Sequence, residues 1–338
     1  MEIKQNISLK NYNTFGIDVK TKYFAEVFSV DELKGLLPLE KYKTLSKFIL
    51  GGGSNILFTR DFDGLIIKIS SNEIQTIKED EESVFVRASA GVIWNELVLY
   101  CVDRNFGGVE NLSLIPGKVG AAPIQNIGAY GQELKDVFYS LNGIFMENLE
   151  QKTFYKDECS FAYRSSIFKK ELKNKFIITD VTLKLNKHPV LNTSYGAIEE
   201  VLKKKNLDRI TIKDVSKAVC DIRMSKLPDP AKIGNAGSFF KNPEISKEKF
   251  KILVNKFPDI IGYNLSNNSV KVPAGWLIEN AGLKGKRVGN TGTHSKQALV
   301  IVNYGRATGE EILEFKNLIK KTILEKYDIE LEEEVNIL

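Results

Sequence analysis

The sequence predicts a mixed α/β (α+β) fold with more than one domain, on three observations. Apolar runs with strand character feed glycine clusters: TLSKFIL at 44–50 runs straight into GGGSN at 51–55. A strand pattern at 83–92, SVFVRASAGV, is followed by a helical one at 93–105, and a second strand–helix succession begins at 298. The length of 338 residues exceeds what one core normally holds, so two or three domains are expected.

Taken in order, KYFAEVFSV at 22–30 reads as a strand, and Asp31-Glu32 opens a short helix. With TLSKFIL and LIIKIS at 65–70 this makes a small α/β unit. In 83–92, Val84, Val86 and Ala88 alternate against Phe85 and Arg87. The helix that follows is expected to bury Ile93, Leu97, Tyr100 and Cys101, which share one face. Residues 106–133 carry six glycines and no periodicity, and a compact domain keeps such a loop when it binds something. Strands resume around 137–145 and at 176–185. From 213 the character changes. KDVSKAVCDIRMSKL is helical, with Val215, Val219 and Ile222 on one stripe, and LPDP breaks it. A helix near 246–256 and the strand ALVIVN at 298–303 follow. Thr308 and Glu311 form a capping box for a long helix whose core stripe is Ile312, Phe315, Leu318 or Ile319, and Ile323. The segment IELEEEVNIL reads as a terminal strand.

Composition narrows the function. Apolar content of 43% and charged content of 27% describe a soluble globular protein. The segment MEIKQNISLKNYNTFG has no apolar signal core, and no run is long enough to span a membrane, so a cytoplasmic protein without a membrane partner is expected. A net charge of +5, from 48 basic and 43 acidic residues, suits an anionic small ligand and predicts no nucleic-acid partner. Cys101, Cys159 and Cys220 lie far apart, which gives neither a disulfide framework nor zinc spacing and favours a reducing compartment. The only histidines are His188 and His294, so a histidine-based triad or multi-histidine metal site is nearly excluded and no metal is expected. Acid–base work falls to carboxylates, Tyr, Lys, Arg or Ser.

Six segments carry chemistry. In GNAGSFFKNP at 234–243, Ser238 stands between Ala236-Gly237 and Phe239-Phe240, with Lys241, Asn242 and Pro243 following. That setting fits a proton donor in a tight pocket, and an ordinary turn is the alternative. In GGGSN, Gly51, Gly52 and Gly53 permit positive φ and close approach, and with Ser54 and Asn55 they can present N–H groups to a diphosphate. No Gly-Lys-Ser/Thr follows and residue 56 is Ile56, so this is neither a Walker nor a Rossmann loop; a tight hairpin turn is the alternative. In IPGKVGAAPIQNIGAYG at 115–131, Gly117, Gly120, Gly128 and Gly131 leave backbone exposed, and Ala121 and Ala122 leave room for a flat ligand. Gln125 and Asn126 can hydrogen-bond a heterocycle edge and a diphosphate. Arg164 in CSFAYRSSIFK can pair bidentately with a carboxylate or enolate, or serve as a surface ion-pair partner. RMSKLPDP at 223–230 offers Arg223 and Lys226 to a phosphate, or is a solvated helix end. In LEEEV at 331–335, a strand would point Glu332 and Glu334 to one face and Glu333 to the other.

Together TFG at 14–16, GGGSN, IPGKVGAAPIQNIGAYG, YRSS, KLPDP, GNAGSFFKNP, PAGWLIENAG and the terminal E-x-E-V resemble the UDP-N-acetylenolpyruvoylglucosamine reductase (MurB) family. The motifs occur in order from about residue 10, and Tyr195 in NTSYGAI marks the longer of the family's two subtypes. The resemblance implies three domains. Residues 1–70 and 71–212 would form an FAD-binding unit of the vanillyl-alcohol-oxidase type, with 328–338 returning to the FAD site, and 213–327 would bind the sugar nucleotide. It implies FAD, reduced by NADPH as co-substrate. Two glycine-rich loops and no histidine or cysteine placed to tether a flavin predict that the FAD is non-covalent, and a monomer is expected. The enolpyruvyl UDP-sugar then accepts hydride at C3 and a proton at C2, giving UDP-N-acetylmuramate for peptidoglycan precursor synthesis.

Residue by residue, the resemblance implies that Ser238 is the proton donor, Arg164 stabilises the enolate and Glu334 is the C-terminal catalytic glutamate. Tyr195, Lys226, Asn242 and Gln297 fall on substrate contacts. Residues 51–55 and the loop with Pro116, Gly117, Gly120, Ala121, Gln125, Asn126, Gly128, Ala129 and Gly131 fall on FAD contacts, and Arg223 lies near the flavin. In two places the chain departs from the family pattern: Glu333 stands where Pro is common, and Asn336 where many members have Arg. An oxidase or dehydrogenase of a small alcohol or sugar on the same FAD scaffold is the competing enzyme; a non-catalytic nucleotide-sugar binder is the competing class.

Overall fold

A computed structural model describes residues 1–205, 209–266 and 268–338. The chain forms two compact units. Unit 1 comprises Met1–Ile7, Thr21–Gly52 and Asp63–Ser225; unit 2 comprises Ser8–Lys20, Gly53–Phe62 and Lys226–Leu338. Both mix helices with strands, so the expected fold class holds. No helix among the described residues is long and apolar enough to cross a membrane.

Unit 1 holds two sheets. The first runs in the order Ile3–Ser8, Lys20–Val27, Phe62–Ile69, Ser46–Leu50, the last two parallel. The strand expected over 22–30 stops at Val27, because the Ser29 hydroxyl accepts the Glu32 N–H and caps the helix Val30–Leu36. Val27, Leu33, Leu36, Leu65 and Ile67 form the core beneath it. The second sheet is antiparallel, in the order Gln151–Tyr155, Phe138–Phe145, Phe176–Asn186, Ser83–Ser89, Ile74–Glu79.

The helix Trp94–Asp103 packs into this second core through Trp94, Leu97, Val98, Cys101 and Val102, the i, i+3, i+4, i+7, i+8 set. That corrects the face expected from sequence. Ile93 is the extended N-cap residue and 41% exposed, and Tyr100 is only partly buried. The helix starts one residue later than its apolar run, so Ile93 lies outside it and the buried stripe is centred on Trp94, Leu97, Val98, Cys101 and Val102. Helices Gly196–Lys203 and Ile212–Lys226 pack together through Ile198, Leu202, Val215, Val219 and Ile222.

Unit 2 is built on an antiparallel sheet in the order Gly234–Ser238, Val300–Asn303, Thr291–Thr293, Arg287–Val288. The helix Gly309–Tyr327 lies on its central strands and buries Ile312, Phe315, Ile319 and Ile323. Ile319, not Leu318, is the core residue, as the 3.6-residue period requires. Each of these four contributes about 1.5–3 kcal/mol by burial. The Thr308–Glu311 capping box, present as expected, contributes on the order of 1 kcal/mol. Packing therefore holds the helix, and the cap sets where it begins.

The terminal segment is not the continuous strand expected from IELEEEVNIL. Only Asn336–Ile337 is strand, paired in parallel with Ile56–Leu57, and Glu333 makes an isolated bridge to Phe240. The segment changes partner midway, so no single ladder can run its length.

Candidate active site

In unit 1 the two glycine-rich segments meet. A Cβ on Gly52 would lie 3.1 Å from Gly117 Cα, and one on Gly51 would touch Ala121 and Lys118. A Cβ on Gly120 would fall 2.5 Å from that of Ala90, whose carbonyl accepts the Gly120 N–H at 2.9 Å. Side chains at these positions would fill the cradle, leaving backbone as the available surface. A diphosphate is held by backbone N–H groups at close approach; the Gly120 N–H is already given to Ala90 O, so Gly120 supplies room there and not that donor. Trp94 pins the loop: its N–H donates to Gly117 O and its indole Nε1 to Leu112 O, both at 3.0 Å. Burial holds the Lys118 ammonium below its usual range.

Arg164 sits in the left-handed region, φ +52°, within the turn Ala162–Ser165. Its Nη2 donates to Gly128 O at 2.8 Å, and a Cβ on Gly128 would come within 3.1 Å of Nη1. Ser166, fully buried, donates to Ile124 O at 2.7 Å and caps the next turn. The YRSS motif thus fastens Arg164 to the 116–131 loop. Asn126 works inside that loop: its amide donates to Glu133 and to Ala162 O, and its Oδ1 accepts the Lys135 N–H. Tyr195, half-exposed before the helix Gly196–Lys203, meets Tyr130 edge-on at 5.3 Å. Tyr130 in turn hydrogen-bonds Arg223, whose Nε donates to Leu114 O at 3.2 Å. Burial pushes the Tyr130 phenol up. Tyr130 and Lys118 were missed as candidates from sequence, although both lie inside the quoted 115–131 motif.

A separate cleft of ≈ 200 Å³ in unit 1, lined by Leu33, Ser71, Arg87 and Asp180 among others, includes none of these residues.

In unit 2 the remaining motifs converge. Thr14 links two of them: its N–H donates to Gly53 O, and its hydroxyl donates to Asn235 O at 2.6 Å. Gly53 has φ +63°, and a Cβ there would strike the Tyr12 carbonyl, so only glycine fits. The strand Gly234–Ser238 is bulged. Asn235 faces Val302 and Ser238 faces Val300, so one extra residue is accommodated around Gly237, φ +70°. A bulge re-aims the side chain that follows it, here Ser238. The Glu334 N–H donates to Phe239 O at 2.8 Å, which places Glu334 opposite the residue next to Ser238. Asn55 Nδ2 donates to Glu334 O at 3.2 Å, and Asn336 returns two bonds to Asn55 O. Asn336 thereby ties the terminal segment to the GGGSN loop.

The three terminal glutamates separate. Glu332 pairs with Lys241, and Glu333 with Lys316 and Lys320. Asn242 Oδ1 accepts the Ala274 N–H that opens the helix Ala274–Asn280, and Gln297 Oε1 lies beside Gly275 of that helix. Lys226 is the exposed last residue of the helix Ile212–Lys226.

Comparison with known proteins gives the family. Residues 229–338 match the model of the UDP-N-acetylenolpyruvoylglucosamine reductase C-terminal domain, and residues 21–144 match an FAD binding domain. The chain is 55% identical to the UDP-N-acetylenolpyruvoylglucosamine reductase of Flavobacterium johnsoniae and 48% identical to that of Amoebophilus asiaticus, over 100% of each chain. Its fold matches the crystal structure of the reductase (MurB) from Thermus caldophilus with a TM-score of 0.70 at 24% identity, covering 100% of this chain and 99% of that one. The chain belongs to the UDP-N-acetylenolpyruvoylglucosamine reductase family.

Proposed function

We propose that this protein reduces the enolpyruvyl ether of UDP-N-acetylglucosamine to UDP-N-acetylmuramate with NADPH and non-covalent FAD, in peptidoglycan precursor synthesis. The observation that carries the reading is the Gly237 bulge, which presents Ser238 one residue from the ladder bond that holds Glu334.

FAD fits the cradle of unit 1. Gly51 and Gly52 with Pro116, Gly117, Gly120 and Ala121 would hold its diphosphate, and Gly53, Ser54 and Asn55 of unit 2 are also proposed as FAD contacts. Gln125, Gly128, Ala129, Gly131 and Arg223 would hold its ring. Asn126 would contribute backbone, its side chain being committed within the loop. When bound, FAD supplies the hydride, drawn from NADPH, that adds to C3. The residues do the rest. Addition to an α,β-unsaturated carboxylate builds negative charge on the carboxyl group, and the fixed guanidinium of Arg164 stabilises it. Ser238 gives C2 its proton, and Glu334 serves as the neighbouring catalytic acid. The balance is one hydride to C3 and one proton to C2, with loss of the C2=C3 π bond. Tyr195, Lys226, Asn242 and Gln297 would contact the UDP-sugar, Asn242 through its amide NH₂.

We read residues 1–70 and 71–212 as the two FAD-binding subdomains, which the two sheets of unit 1 support, and 213–327 as the substrate domain, with 328–338 serving the FAD site. The protein acts as a cytoplasmic monomer on small molecules.

The flavin should be released entirely on denaturation. Burial pushes the Cys101 and Cys159 thiols up to about 12, which leaves both poor tethers. Flavin remaining with the precipitated chain would contradict this. The function itself is tested by colour. The yellow protein should bleach with NADPH and recover on adding the enolpyruvyl UDP-sugar under nitrogen. Recovery only with oxygen, after bleaching by a small alcohol, would establish the oxidase reading instead.

A further inference from the structure

We propose that Glu333 is a positioning residue, a carboxylate clasped by Lys316 and Lys320 that fixes how the terminal segment presents Glu334. This rests on the reading of Glu334 as the catalytic acid. Lys316 Nζ lies 2.9 Å from Glu333 Oε1, and Lys320 Nζ lies 3.1 Å from Oε1 and 3.3 Å from Oε2. Both lysines project from the helix Gly309–Tyr327, and Lys316 is buried.

The clasp adds a side-chain anchor to a stretch that is not yet regular strand. Two ladder bonds flank Glu333: Lys241 N–H to Glu332 O, and Glu334 N–H to Phe239 O. Regular strand begins only at Asn336. With Glu333 held against the helix, alternation turns its neighbours to the opposite face. Glu332 there meets Lys241, so these two carboxylates are fixed by lysines on different segments. Burial alone would push the Glu333 carboxyl up, but the hydrogen bonds from Lys316, its own N–H and Lys320 outweigh it and hold it below the usual range. The carboxylate is therefore charged, and its grip persists, throughout the neutral range. The clasp is geometrically specific. Both lysines lie one turn apart on the same helix, and that helix is fixed to the sheet by its own buried stripe.

The test uses the FAD-loaded protein with Glu333→Gln and Lys320→Met. Hydrogen–deuterium exchange across 331–338 should quicken about tenfold at the Glu334 amide in Glu333→Gln. Stopped-flow recovery by the UDP-sugar should slow about 10–10²-fold, the scale of a displaced catalytic group, while bleaching by NADPH keeps its rate. Unchanged exchange at Glu334, or equal slowing of both half-reactions, would overturn the proposal. If Glu333→Gln does not fold, Lys320→Met, which leaves Lys316 in place, is judged by the same two readouts. Glu334→Gln is measured in parallel. If that change is silent, Glu334 is not the acid, whereas the clasp is still decided by the exchange rates.

Discussion

In unit 1 the candidate ligand surface is mostly backbone. Gly52 and Gly120 are crowded against Gly117 and Ala90, so their identity is set by what a side chain would strike, and Gly117 is required by its φ of +121°. In unit 2 the candidate surface is side chain. Ser238 is aimed by a bulge, and the glutamates are sorted among lysines on two elements. Gly237, beside Ser238, has nothing within 4 Å of a built Cβ and is required only by its φ of +70°. On the proposed reading the first region recognises mainly by shape and the second supplies most of the chemistry, with Arg164 the exception in unit 1. Changes in unit 2 should therefore separate the two half-reactions, while changes in the glycine cradle should act on flavin retention.

The largest effect should come from Ser238→Ala. It removes one hydroxyl from a half-buried strand end, so folding and flavin content should be preserved. Bleaching by NADPH needs no proton from this residue and should keep its rate. Recovery by the UDP-sugar should slow by roughly 10²–10⁴-fold, the usual scale for a positioned acid. Cysteine at this position should restore part of the rate. Equal slowing of both half-reactions would make Ser238 a binding residue and break the division between the regions.

Arg164→Lys sharpens the same division, because Arg164 is the one charged catalytic candidate held in unit 1. Lysine keeps the charge but loses the planar fork that holds Gly128 O and that the proposed enolate contact requires. Recovery should slow by about 10²-fold, the lower range for losing an oxyanion donor, with flavin content unchanged. Undiminished turnover removes Arg164 from the mechanism.

Smaller and more discriminating is the pair Glu332→Gln and Glu334→Gln. Glu332 is exposed and engaged by Lys241, a surface ion pair worth at most about 1 kcal/mol. Glu334 is held from both sides by Phe239 and Asn55. Turnover should fall at least about tenfold with Glu334→Gln and by less than about twofold with Glu332→Gln, measured as recovery rates. The reverse order would reassign the acid.

Much of this was legible in the sequence because it is local. The strands that feed 51–55, the capping box at Thr308 and the stripe of the helix Gly309–Tyr327 depend on neighbours within a few residues. Features that depend on a distant partner were not. The bulge before Ser238 exists only against the register of Val300–Asn303. The partner switch that breaks the terminal strand, and the use of Asn336 to hold Asn55, need the position of a segment some 280 residues away. The helices Gly196–Lys203 and Ala274–Asn280 were passed over because both are too short for periodicity to rise above their turn-forming flanks. Glu333 pairs away from Glu332, as alternation predicts, but its lysine partners lie on another element and leave no mark on the local pattern.

The smallest expected effect tests the two kinds of glycine directly, with Gly120→Ala against Gly237→Ala. At Gly120 the added methyl meets Ala90 Cβ at 2.5 Å, so the Val119–Ala121 turn must shift and its bond to Ala90 O must lengthen. Overpacking of this kind costs about 1–3 kcal/mol, and here it distorts the cradle itself. At Gly237 space is open, and the cost is the left-handed φ alone, about 1–2 kcal/mol, with no effect on the glycine loops. Thermal unfolding followed by flavin fluorescence should show Gly120→Ala losing flavin before the protein unfolds. Gly237→Ala should unfold a few degrees early with flavin still bound, by the ordinary scaling of stability to midpoint. If Gly237→Ala sheds flavin as readily as Gly120→Ala, then the bulge serves the cofactor as well as Ser238, and recognition and chemistry are not divided between the two regions.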